Sequence, residues 1–239
     1  GDDGTNVPWD HIDGRPDFAN YSMSPKFNDV IVKGPIIDVR APFGLQEGAK
    51  GDGITDDAAA IQSCIDYAAS IGGGRLFFPP GTYLIGDTLT WTADNIIFVG
   101  SDLALTILRD HPSLGAKRLI NLKGTSVAWI KNFGIKDMTL RNGTASEDNK
   151  KRKKDCIKTE YVDGVYIQRV RFKEVQGTFG FSAINSKNIF ADNCIFYRWT
   201  YAAMTIKVGC DTVCVKECIF DTALAQNTPQ NYTFATGAG

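Results

Sequence analysis

Cleaving a sugar bond calls for carboxylates, and hydrolysis calls for two of them about 5–9 Å apart. Glu174 and Asp221 are the acids in this chain of 239 residues whose positions best suit such a pair. Both fall just after a phenylalanine that recurs every 24 residues, at Phe172, Phe196 and Phe220, and both are expected to face outward. Two repeats separate them, about 10 Å if each repeat adds one parallel strand. They are the catalytic candidates. Glu160, Asp163 and Asp192 are weaker, being ordinary solvated acids by their surroundings. Asp52, Asp56 and Asp57 are close in sequence but sit where a helix starts, and capping that helix takes precedence over chemistry. Six cysteines occur, Cys64, Cys156, Cys194, Cys210, Cys214 and Cys218, with only His11 and His111 to accompany them. The spacing is not that of a zinc site, so no metal and no cofactor is expected, and the thiols are expected to stay reduced. Aromatic side chains say more. Tyr166, Tyr197, Trp199 and Tyr201 lie on or just past outward positions and are the candidate substrate-binding residues, able to stack on sugar rings. Ile195 and Ile219 beside them would equally suit packing against a neighbouring subunit.

These residues are positioned by a repeat. Val165, Ile167, Val170 and Phe172 return as Ile189, Ala191, Cys194 and Phe196, then as Val213, Val215, Cys218 and Phe220. Phe133, Ile135, Met138 and Leu140 fit the same template one turn earlier, with the extra residues in a polar segment around 142–154 that holds Lys150 to Lys154. A single turn of this kind cannot bury its apolar edge, whereas stacked turns share one continuous core. Between the second and third members of each set lies a bend, at Lys136-Asp137, Gln168-Arg169, Asp192-Asn193 and Lys216-Glu217. Stacking lines up Asp137, Arg169, Asn193 and Glu217 as a column of mixed sign, expected to be a structural ladder. Cys194 and Cys218 are expected inside the coil as small hydrophobes rather than as a disulfide.

Upstream, Gly48 to Gly86 reads as a polar glycine loop, a helix expected over about 56–71 with Ile61, Ile65, Ala68 and Ile71 on one face, a triple-glycine stop, and two short strands broken by Pro79-Pro80-Gly81. The motifs GAKGDG, TDD, GGG and FPPGTY in this stretch resemble the opening signature of the pectate-lyase-like superfamily. That resemblance implies an all-β, right-handed, single-stranded parallel β-helix with an N-terminal capping α-helix. The insertion at 41–48 departs from the family pattern. Trp9, Ile12, Gly14 and Pro16 resemble the W-x-x-I-x-G-x-P segments of phage tail-fibre and tailspike proteins. The domain expectation is a connector over 1–35 and a β-helix over 36–239, as part of a longer chain.

A net charge of −1 argues against a nucleic-acid partner, no apolar run is long enough to span a bilayer, and the polar N-terminus shows no secretory signal. The resemblance implies a homotrimeric phage tailspike, in the virion or otherwise extracellular, that binds and can degrade host surface polysaccharide as a lyase or glycoside hydrolase. The alternatives are a structural β-helix without activity (an adhesin or assembly module) and a free pectate lyase or polygalacturonase.

Overall fold

Short apolar strands with little local stability must borrow their edges from neighbours, and the arrangement here is the repetition of that solution. The computed structural model describes residues 34–42, 44, 47–115, 117–143, 155–175, 179–199 and 202–221, with 198 and 199 described through their backbone. Before the repeat come β1 (Ile36–Asp38), β2 (Asp52–Asp56), α1 (Ala58–Ser70), β3 (Gly74–Phe78) and β4 (Gly81–Ile85). There follow β5 (Ile96–Gly100), β6 (Thr106–Asp110), β7 (Ile120–Lys123), β8 (Ile130–Arg141), β9 (Ile157–Glu160) and β10 (Val162–Val175). The last described elements are β11 (Phe179–Ile184), β12 (Lys187–Asp192), β13 (Ile195–Trp199), β14 (Ala202–Ile206), β15 (Asp211–Lys216) and β16 (Ile219–Asp221).

Each coil has three legs, and every pairing between coils is parallel. The first leg stacks β1-β3-β5-β8-β10-β12-β15, and the third stacks β7-β9-β11-β14. The second runs β2-β4-β6, continues through the second halves of β8 and β10, and ends on β13 and β16. This is the parallel β-helix that the repeat implies. The four-residue template aligns as counted: Val165 opposes Phe133 and Ile189, and Phe172 opposes Leu140 and Phe196. All these side chains are buried. Phe172, Phe196 and Phe220 stack almost face to face, with ring centroids 4.6 Å and 4.9 Å apart. All six cysteines are free thiols, and Cys194 is buried in the coil as expected. Burial pushes the Cys64 thiol up to about 11.

The two-residue bends work through backbone handedness. Asp137, Arg169, Asn193 and Glu217 all take positive φ, between 47° and 58°. Asparagine tolerates this region well and the others less so. The column compensates in pairs: Arg169 donates to both Asp137 carboxylate oxygens, at 2.6 and 2.9 Å, and Asn193 donates to Glu217 at 3.2 Å. A second left-handed column, Asn95, Asn132, Gly164, Asn188 and Thr212, opens the first leg, with Asn132 bonded to Asn95 at 2.8 Å.

Three expectations at the N-terminal end need correction. The helix spans Ala58–Ser70, not 56–71, because Asp56 pairs in β2 with Leu84. Ile71 is 43% exposed and lies off the buried face, where Cys64 packs with Ile61, Ile65 and Ala68. The acids also differ from the expected caps: Asp57 is the N-cap residue, but its side chain makes no capping bond to the helix. The buried Asp57 carboxylate accepts the N–H groups of Lys50 (2.6 Å) and Gly51 (3.0 Å), Asp56 accepts those of Ala58 and Gly86, and Asp52 holds its own turn through Ile54 and Thr55. Burial raises the Asp57 carboxyl above the usual carboxylate range, against the opposing pull of its two backbone donors. Gly51 has φ 62°, and a Cβ there would meet the Tyr83 ring at 2.9 Å, which is why this loop requires glycine. Of the connector placed at 1–35, only Gly34 and Pro35 are among the described residues, and Pro35 already accepts the Arg75 N–H of the first rung. The lysine run lies outside them.

Two outcomes are expected in urea unfolding. Phe196→Ala, in the middle of the ring stack, should cost about 3–5 kcal/mol, while Ile219→Ala should stay within about 0.5 kcal/mol; equal losses would contradict the stacking. Asp57→Ala should cost about 2–3 kcal/mol, because it strands the buried Gly51 N–H and frees Lys50.

Candidate functional site

Since side chains on a strand alternate between faces, the strand register also fixes what stacks outside the coil. On the second leg the outward residues come in two columns. One holds Ile107, Thr139, Arg171, Ile195 and Ile219, and the other Arg109, Arg141, Lys173, Tyr197 and Asp221. Lys173, Tyr197 and Asp221 thus stand in successive rungs as the repeat predicts, and Asp221 is exposed.

Glu174 belongs to the same neighbourhood but is not an open acid. It takes a left-handed conformation (φ 52°), its side chain is 18% exposed, and it pairs with Arg141 of the preceding coil at 2.5 Å. It is therefore directed back along the coil, and two rungs, about 10 Å, lie between its position and that of Asp221. That is above the spacing of a retaining pair and at the upper limit for an inverting one.

The aromatic candidates divide between legs. Tyr197 is on the second leg and partly exposed. Trp199 continues its strand, opposite Val175. Tyr201 lies outside the described residues. Tyr166 is on the first leg, across the bend at Gln168-Arg169, and stacks on Phe190 with centroids 5.6 Å apart and planes 5° from parallel. Burial, then the nearby Asp163 charge, raises its phenol above the usual range. The structure therefore builds two outward aromatic positions rather than one platform.

Of a third surface the sequence reading named only Glu160, as a weaker acid. On the third leg Arg118 pairs with Asp155 at 2.9 Å, and the Ser182 hydroxyl donates to the same Asp155 oxygen at 3.2 Å. Nearby Lys158 pairs with Glu160 at 2.9 Å and holds its carboxyl below the usual range. Asp155 follows the basic run and reads from sequence as the end of a solvated loop, so nothing signalled its burial. Its other oxygen, Oδ1, has no partner among the described residues. Among those residues no group of three or more acids, cysteines or histidines could hold a metal ion.

The stacked legs and the outward columns define a parallel β-helix. Residues 45–236 match the family described as rhamnogalacturonase A/epimerase, pectate lyase-like, and the chain belongs to that family. It is 32% identical over 147 residues to mannuronan C5-epimerase AlgE4 of Azotobacter vinelandii and 33% identical over 141 residues to alginate lyase 7 of the same organism. These matches cover 56% and 54% of this chain but only 26% and 16% of the relatives, so the chain spans about a quarter of their length or less. In structure it resembles open reading frame 18 of Geobacillus virus E2, with a TM-score of 0.54 and 16% identity, over 89% of this chain and 47% of the viral one.

The Arg141–Glu174 pair bridges two coils with both partners partly buried. A double-mutant cycle of Arg141→Met and Glu174→Gln should return a coupling of about 1 kcal/mol in unfolding free energy. A coupling near zero would place Glu174 in open solvent and restore it as an accessible acid.

Proposed function

We propose that this chain is a module of a phage tail appendage, assembled as a homotrimer in the virion, that binds host surface polysaccharide along the outward face of its coil. The observation that carries the reading is the register of the second leg, which lines up charged and aromatic side chains along the coil axis, as a linear polymer requires. Family membership supports the ligand class, since AlgE4 and alginate lyase 7 bear the names of enzymes acting on mannuronan and alginate. The phage setting rests on the resemblance of Trp9, Ile12, Gly14 and Pro16 to tail-fibre segments.

In this reading Tyr197 contacts sugar on the second leg and Tyr166 on the first, with Trp199 and Tyr201 kept as further candidates from the sequence. Glu174 and Asp221 are the candidate acids for cleavage. Binding is favoured over cleavage, because Glu174 is already committed to Arg141 and stands two rungs from Asp221. The test is incubation of the protein with a panel of capsular and pectic polysaccharides, read for retained glycan, new reducing ends and unsaturated uronates, with light scattering for the trimer. Retention that Tyr197→Ala weakens about tenfold, about 1.4 kcal/mol, is the expected result. Release of product that Glu174→Gln and Asp221→Asn abolish would make the protein a depolymerase. No retention of any polysaccharide would end the proposal.

A further inference from the structure

Cys194 and Cys218 are the two cysteines that the register sets one above the other. They fall at the same place in successive coils, between the aligned pairs Asp192–Lys216 and Ile195–Ile219. Backbone bonds from the Ile219 N–H to the Cys194 carbonyl (2.8 Å) and from the Asn193 N–H to the Lys216 carbonyl (3.1 Å) fix that alignment. Both side chains take the same pose. The Cys194 sulfur lies 3.5 Å from the Ile167 carbonyl oxygen and the Cys218 sulfur 3.6 Å from that of Ala191, each one coil back. The other four thiols stand apart from this column. Cys214 faces Phe190, Cys64 is buried in α1, Cys156 precedes β9 and Cys210 precedes β15.

The interior does not call for thiols here, since the same column holds Met138 and Val170 in the two preceding coils. Stacked parallel strands put the two Cα atoms about 4.8 Å apart, inside the roughly 4.4–6.8 Å that a disulfide spans. The Cβ atoms must close to about 3.5–4.5 Å, and the last described coil has the freedom for that adjustment. Cys218 and Phe220 are half-buried and Val213 is 41% exposed, whereas their counterparts Cys194, Phe196 and Ile189 are buried. The hydrogen bond between the two thiols raises Cys194 above the usual thiol range, with burial adding to it, and lowers Cys218. Cys218, the more exposed of the pair, therefore ionises first and meets a dissolved oxidant first.

We propose that Cys194 and Cys218 are a cross-coil disulfide site, closed by a low-molecular-weight disulfide of the glutathione type, that fastens the β15–β16 coil to the β12–β13 coil. The Cys218 thiolate attacks one sulfur of the small disulfide, forming a mixed disulfide and releasing one thiolate. Cys194 gives its proton to solvent and attacks the Cys218 sulfur, forming the bond between coils and releasing the second thiolate. The protein gives up two electrons and two protons, which end on two molecules of the small thiol. Each coil is held chiefly by its neighbours, so the bond acts on local opening of the last described coil rather than on the whole molecule. The inference is independent of what the outward faces bind.

The test compares the whole chain in reduced form with the same chain after incubation with glutathione disulfide, so that one sequence serves as its own control. Remaining thiols are alkylated, the protein is digested, and the peptides are weighed. The expected product links the peptides of Cys194 and Cys218 with the loss of two hydrogens, and leaves the other four cysteines alkylated. Amides of β15 and β16 should then exchange with solvent at least about tenfold more slowly than in the reduced chain, and dithiothreitol should reverse the change. Cys194→Val, which repeats the residue type of Val170, should exchange like the reduced parent and show no slowing with the oxidant. Full alkylation of both thiols after prolonged incubation overturns the site, and so does a Cys218 that stops at the glutathione adduct or a link that joins a different cysteine. A Cys194–Cys218 link that leaves β15 and β16 exchange unchanged overturns the fastening. Slowing of exchange in Cys194→Val would overturn it too, by assigning the effect to another thiol.

Discussion

Everything in this molecule depends on one constraint: a residue in one coil must lie directly over its counterpart in the next. Parallel backbone hydrogen bonds impose that alignment, and the interior enforces it. The near face-to-face stack of Phe172, Phe196 and Phe220 tolerates no slip, because a shift of one residue would turn the whole set outward. The left-handed bends then make the corner the same in each coil, and their side chains bond along the column. Stability is accordingly shared between neighbouring coils rather than concentrated in any one of them. The first coil draws on a different device, in which Asp57 ties down the Gly51 loop while α1 packs its buried face on β3.

What could be read from the sequence follows from this constraint. Two legs were legible because apolar side chains recur there at fixed intervals, and Val165, Ile189 and Val213 stack as their spacing requires. The bend column was legible for the same reason. The third leg was not, because its strands follow turns of unequal length and its buried face mixes Ile157, Thr159, Phe181 and Ala183 without a repeated signature. The helix start was misplaced because Thr55-Asp56-Asp57 carries a strong capping signal, whereas tertiary pairing of β2 with β4 claims Asp56 for a strand. For the site, Lys173, Tyr197 and Asp221 could be aligned from spacing alone. The commitment of Glu174 to Arg141 could not, since it depends on a left-handed residue re-aiming a side chain toward the preceding coil.

The same alignment separates two kinds of charge. On a coil, any charged residue has its nearest neighbours fixed above and below, so compensation is a matter of what occupies the same column one rung away. Arg169 over Asp137, Glu174 against Arg141 and Lys187 against Asp163 are charges whose partners the coil itself supplies. Such pairs knit successive coils together and carry little information about a ligand. Among the described residues Arg109, Arg171 and Lys173 have no such partner, and one and two rungs further on the same columns hold Ile195, Tyr197, Ile219 and Asp221. A position on which the fold places no demand is free to be set by what binds there.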